Sequence, residues 1–298
     1  MSSQQNVSRR RRGRAKREAI TPFLLILPAM AILVVFKAYP FVNGLIDSLT
    51  RKEVFPSIAN YERMLTDKVW LEALGNSVKG IALLPVFILV PLVIAFALFT
   101  GIRGWRTHRA IYLLSYLLPA AMAGVVFSLF MGFEGPINGA LRSVGLEAIA
   151  IAWFSTTGTA MWAVYALVLW AWFGLGTVTY LAALATIPEE QFEAARLDGA
   201  TAMQALRAIT IPWVRPTIGY WAVLCTAGLF LWLFPFITTS TGGGPGNSST
   251  TPEIRIWEVF QQGMNPNYAS ALGITLFLIV LVFSALQVRW MYTSASDS

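Results

Sequence analysis

Along this chain, long uncharged apolar runs alternate with short polar segments that hold most of the charge. The apolar runs lie near residues 20–44, 77–99, 109–132, 158–185, 216–239 and 268–288. A helix needs roughly 20 apolar residues, at 1.5 Å rise each, to cross a bilayer, and each run is long enough. No water inside the hydrocarbon satisfies backbone N–H and C=O groups, so such runs form helices that close their own bonds. The pattern predicts an all-α polytopic membrane protein with six transmembrane helices. It divides the chain into a basic tail over 1–19 and a six-span domain over 20–298, with a polar loop over 188–212.

In the first run, Lys37 stands near the end and Pro40 introduces a kink. Basic residues precede it, as they do in a signal peptide. No small-x-small cleavage site follows Phe36, however, because the local sequence is Lys37-Ala38-Tyr39-Pro40. An uncleaved helix is the favoured reading, with Lys37 reaching to the outer surface.

Basic residues set the orientation. Arg9, Arg10, Arg11, Arg12, Arg14, Lys16 and Arg17 precede the first run, and Arg103, Arg106 and Arg109 follow the second. Arg196, Arg207 and Arg215 follow the fourth, and Arg289 ends the sixth. If the spans alternate, these share one side, the cytoplasm by the positive-inside rule, with both termini and the 188–212 loop. The tail is an anchor that also touches anionic lipid, and the net charge of +7 needs no nucleic-acid partner because most of the excess lies there.

Hydrophobic residues make up 56% of the chain and charged residues 12%, with a mean hydropathy of +0.61. That composition excludes an ordinary soluble domain. The span interiors hold no charged residue beyond their edges. A charge at a helix centre costs about 2.5–3.5 kcal/mol on insertion scales, and ion-coupled carriers keep such charges because coupling needs them. Nor does the chain contain a Gly-x-x-x-x-Gly-Lys-Ser/Thr loop for ATP, a pair of acids in the membrane or a metal cluster. These features point to a transport subunit that is not an enzyme and borrows its motor. Cys225 stands alone in a span as a small apolar filler. His108 stands alone in a short basic loop, as a headgroup-level surface residue.

The 188–212 loop has more pattern than a connector needs. Pro188 opens a helix with acids in its first turn and a stripe of Phe192, Ala195 and Gly199. Gly199 breaks it, Thr201 caps a second helix carrying Met203, Leu206 and Ile209 on one face, and Pro212 stops that helix. Two short helices with a bend form a rigid knob that fits a groove on another protein.

The run Glu193-Ala194-Ala195, three residues, Gly199, nine residues, then Ile209-Thr210-Ile211-Pro212 resembles the cytoplasmic loop signature of bacterial ABC importer permeases, with Ile211 where the pattern prefers Leu. Pro22-Phe23-Leu24-Leu25-Ile26-Leu27-Pro28 through Tyr39-Pro40 is similar to the first permease of carbohydrate importers, of the maltose, lactose and glycerol-phosphate type. The likeness runs from about Ala19 to the end. It implies the maltose-permease-like fold in a bacterial inner membrane. It also implies a second permease, an ATPase dimer that binds ATP and Mg, and an extracytoplasmic solute-binding protein. No cofactor is implied in this chain.

The resemblance assigns Glu193, Ala194, Ala195, Asp198, Gly199, Ile209 and Pro212 to coupling with the ATPase. Counting from Ile187-Pro188, the pocket face falls on Val168, Ala171, Trp172 and Leu175, which share one side of a helix. Counting from Gly243-Gly244-Pro245, it falls on Thr226, Leu229, Phe230 and Leu233. Positions polar in the maltose permease are mostly apolar here, and Trp172 replaces a small residue, a departure that bears on maltose itself. The aromatics of the fourth and fifth spans, Trp170, Trp221 and Trp232 among them, either stack on sugar rings or pack against helices and lipid.

Gly243, Gly244 and Pro245 read from the residues as a flexible loop, and from the resemblance as a contact with the binding protein. Asn60-Tyr61, Trp70 and Asn76-Ser77 resemble the family's first outer loop, with Trp70 at the membrane interface. A permease for peptides or glycerol phosphodiesters, and a membrane scaffold without transport, are the alternatives.

Overall fold

The computed structural model describes residues 23, 25–101 and 105–295, and its regular structure there is helical. Four helices are each long and apolar enough to cross a bilayer: α1 (Leu25–Ser48), α3 (Lys68–Phe99), α7 (Ala160–Leu184) and α13, whose apolar part is Pro266–Met291 of Pro266–Ala295. Two bent pairs meet the same standard only together, which brings the number to six. They are α4 (Trp105–Leu117) with α5 (Ala120–Phe130), and α9 (Ala202–Trp213) with α10 (Arg215–Leu231). The shorter helices are α2 (Ala59–Thr66), α6 (Pro136–Ser143), α8 (Glu189–Leu197), α11 (Phe234–Ser240) and α12 (Pro252–Gln261).

Two expected spans are not single rods. The 109–132 run bends by 103° at Leu118–Pro119. The 216–239 run stops at Leu231 and resumes at Phe234 as α11. Pro119 and Pro235 stand at these breaks, where each lacks an N–H and its ring crowds the preceding turn. The second run also starts earlier, as α3 extends to Lys68. The first helix extends to Ser48, so Lys37 lies midway along its described length rather than near its end.

Pro40 and Pro212 are handled differently. Each follows a π turn by two residues, Val34–Ala38 before Pro40 and Leu206–Thr210 before Pro212. A proline clashes with the carbonyl four residues back, and a widened turn moves that carbonyl aside. Pro212 therefore does not stop its helix, which continues to Trp213 and turns by 75° into α10.

The core lies around α7, which buries residues along most of its length, including Tyr165, Leu167, Val168, Tyr180 and Leu184. Small residues let neighbours come close. A Cβ on Gly174 would sit 2.2 Å from the Tyr112 carbonyl oxygen of α4, and one on Gly176 would meet Trp221 and Pro91. Cys225 is buried in the same core. By contrast α1 is exposed along nearly all its length and touches the bundle through α13, where Phe41 meets Phe277 edge-on at 5.2 Å.

A second core joins α2, α3, α12 and α13 at one end of the bundle. Trp70 belongs to it and, at 1% exposed, is packed inside the protein rather than presented on its surface. Its ring is enclosed with Met64, Phe230 and Tyr268. Asp67 ties the same elements together: it caps the Trp70 N–H and accepts from Arg255 at 2.8 Å and from the Tyr268 hydroxyl at 2.7 Å. Burial pushes the Asp67 carboxyl up, but these hydrogen bonds outweigh it and hold it below the usual carboxylate range.

Candidate functional site: a knob, a cavity and a latched helix break

At the end of the bundle opposite Trp70, α8 and the start of α9 form the knob. Pro188 precedes α8, with Glu189 and Glu190 in its first turn. Gly199 takes φ +75°, a left-handed conformation that favours glycine, and the Ala200 N–H bonds back to the Ala195 carbonyl at 2.9 Å. Thr201 then caps α9 in a reciprocal box: its hydroxyl accepts from the Gln204 N–H, and its own N–H donates to Gln204 Oε1 at 2.7 Å.

Buried Phe192 and Leu206 anchor the knob to the core, with Phe192 packing on Phe99 at the end of α3. The Trp213 indole N–H also donates to the Thr186 hydroxyl at 3.1 Å, tying the end of α9 to the end of α7. Glu193, Ala194, Asp198, Gly199 and Pro212 are exposed, and Ala195 and Ile209 are half-buried. Sequence patterning overlooked Leu197, which is 89% exposed beside Gly199. Met203, grouped with Leu206 by spacing, is also exposed. The basic tail, Arg103 and the side chain of His108 lie outside the described residues.

The two helix breaks face each other within the bundle. Gly124 of α5 lies against Phe236 and Thr239 of α11, close enough that a Cβ would meet the Thr239 hydroxyl at 2.0 Å. Beside the breaks lies an open-sided cavity of about 460 Å³, lined by Tyr116, Pro119, Ala171, Trp172, Trp232 and Pro235, among others, with Tyr116 and Trp232 about half exposed. Irregular backbone at membrane depth is tolerated where it is buried in protein or lines a watery cavity.

Trp172 lines this cavity, resting on Gly228 and meeting Trp232 edge-on at 6.3 Å. Ala171, from the same expected face, lines it too, whereas Val168 and Leu233 are buried in the core and the remaining pathway residues lie away from it. Leu175 is half-buried against the core, and Leu229 and Phe230 are packed in separate cores. Thr226 is enclosed and accepts from the Gln287 amide at 2.7 Å.

The 241–250 loop is tightly knit. Gly243 is buried, and its carbonyl accepts from the Ser249 N–H and the Thr250 hydroxyl. The Ser249 hydroxyl bonds to the Gly244 carbonyl at 2.6 Å. Buried Asn76 holds the loop from α3, its amide donating to the carbonyls of Ser248 and Thr250 at 3.0 and 2.9 Å. Gly244 and Pro245 are half-buried.

Glu253, at the start of α12, makes a long-range contact that sequence spacing did not reveal. Its Oε2 accepts from the backbone N–H groups of Leu233 and Phe234 at 2.9 and 2.8 Å, which puts a carboxylate at the break inside the expected 216–239 span. Burial pushes this carboxyl up to about 7, although both hydrogen bonds pull it down.

This bundle has the fold of an ABC importer permease. It superimposes on a chain of a bacterial ABC transporter involved in the import of the acidic polysaccharide alginate, with a TM-score of 0.84 at 18% identity over 95% of this chain and 99% of that one. The chain belongs to the family described as binding-protein-dependent transport system inner membrane component, whose model matches residues 81–290. Members are transport permeases and are not themselves enzymes.

Two relatives match over most of their length. A probable ABC transporter permease protein of Pyrococcus horikoshii is 30% identical over 89% of this chain and 96% of its own. A multiple sugar-binding transport system permease protein of Streptococcus mutans is 32% identical, covering 89% and 92%.

Proposed function

We propose that this chain is one of two membrane subunits of an ATP-driven importer for sugars or sugar-like solutes, moved between inward- and outward-open states through the Glu189–Pro212 knob. An ATPase dimer, which binds ATP and Mg, docks on the knob from the cytoplasm. A solute-binding protein delivers solute on the side of Gly243, Gly244 and Pro245. Both termini then lie in the cytoplasm.

The observation that carries this reading is the knob: two capped short helices, fixed to the ends of α3 and α7, that present Glu193, Leu197 and Met203 to solvent. An 89% exposed leucine beside a left-handed glycine gains nothing for the isolated chain and suits a partner's groove. The sugar assignment draws on the Streptococcus mutans relative and on Tyr116, Trp172 and Trp232 around the cavity, whose rings stack on sugar faces.

Gly199→Trp tests the docking claim. No heavy atom lies within 4 Å of the added Cβ, but φ +75° strains any side chain there, so Gly199→Ala, which carries the same strain without the bulk, is the control that keeps uptake. With Gly199→Trp the chain inserts normally, and uptake of a panel of labelled sugars by the reconstituted complex is lost. Uptake at the parent rate overturns the claim.

A further inference from the structure

We propose that Glu253 is a positioning residue for transport: its carboxylate latches the break between α10 and α11 and thereby sets the shape of the cavity at that break. The inference rests on the reading of that cavity as the solute path.

A helix start leaves backbone N–H groups without intrahelical partners, and burying them unpaired is costly. At α11 one such donor is removed by Pro235, and Glu253 takes those of Leu233 and Phe234 on a single oxygen. Trp232, just before the latched pair, and Pro235 and Phe236, just after it, all line the cavity. A shift of the carboxylate therefore moves the cavity wall.

The helix bearing Glu253 is held from three sides. Ile254 packs beneath the 241–250 loop, 3.5 Å from where a Gly243 Cβ would lie. Arg255 pairs with Asp67 at 2.8 Å, and Trp257 meets Phe234 edge-on at 5.8 Å. The α12 helix is thus a strut from the loop assigned to the binding protein to the break that borders the cavity. Force on the loop has a direct mechanical route to the path.

The test uses the full chain in native membrane vesicles, with Cys225→Ala to remove the buried thiol and Ala120→Cys to place one at the cavity edge. The probe is the rate of labelling by N-ethylmaleimide. Glu253→Ala changes that rate by about tenfold, as loss of a charge-assisted pair of bonds at the break implies. Glu253→Gln, which keeps an acceptor oxygen in place, leaves the rate near that of the parent.

If the alanine variant is not recovered, Glu253→Asp replaces it. It keeps the charge but retracts the carboxylate by about 1.5 Å, one carbon–carbon bond, and it changes the rate while Gln does not. Parental labelling in the Ala or Asp variant overturns the latch while leaving the path reading intact. A parent thiol that does not label at all removes the watery cavity, and the path reading and the latch fall together.

Discussion

The knob and the latched break are built differently. The knob is local in sequence: its helices, its left-handed glycine and its capping box all fall between Pro188 and Trp213, and its distal surface is left to solvent. The break is assembled from distant parts, with a proline in the fifth span, a carboxylate about twenty residues later and a facing break in the third span. A local device moves as one rigid piece and transmits force. A device made of long-range contacts responds when any contributing element shifts. Substitutions separate the two.

The largest effect is expected at the knob. Leu197→Asp places a charge on the most exposed apolar residue there, and a partner-facing anchor of this kind costs roughly 2 kcal/mol, about thirtyfold in coupled ATP hydrolysis by the assembled complex. Thermal stability of the isolated chain stays at the parent value, because Leu197 is 89% exposed.

Gly174→Ala acts in the opposite way. The added methyl would lie 2.2 Å from the Tyr112 carbonyl, and overpacking costs about 1–3 kcal/mol, read as a lower midpoint in a thermal-shift assay in detergent. Asn76→Ala strips two bonds from the 241–250 loop. Local opening of that loop becomes easier by about 1–2 kcal/mol, measured by hydrogen exchange at Ser249 and Thr250.

Stability also carries a pH dependence. Glu253 titrates near 7 in the folded chain and near 4.5 when unfolded. The folded state therefore binds a proton more tightly, and stability falls as pH rises from about 4.5 to 7. Glu253→Gln removes this part of the slope in the same thermal-shift assay, and an unchanged slope contradicts the assignment.

Much of the fold was legible because apolar run length is a property of the chain itself. The same holds for the knob, where Gly199, Thr201 and Gln204 act within a few residues of one another. What was not legible depended on packing. Pro119 and Pro235 break their helices, whereas Pro91 sits inside one, and nothing local separates the cases. Trp70 has the composition of an interface residue and the surroundings of a core one. Glu253 lies in the first turn of its own helix, where an acid ordinarily serves that helix's N-terminus. Only the fold shows that it serves another's. Lys37 was misplaced because the end of its helix is set by contacts near Ser48 rather than by hydropathy.

The most direct measurement is chemical reactivity at the tip of the knob. With Leu197→Cys in the Cys225→Ala background, a membrane-impermeant maleimide applied to intact cells leaves the thiol unmodified, and a short bifunctional thiol-reactive reagent in inverted vesicles joins it to a co-purifying ATPase. Modification from outside the cell, or no cross-link to any nucleotide-hydrolysing subunit, contradicts the role assigned to the knob.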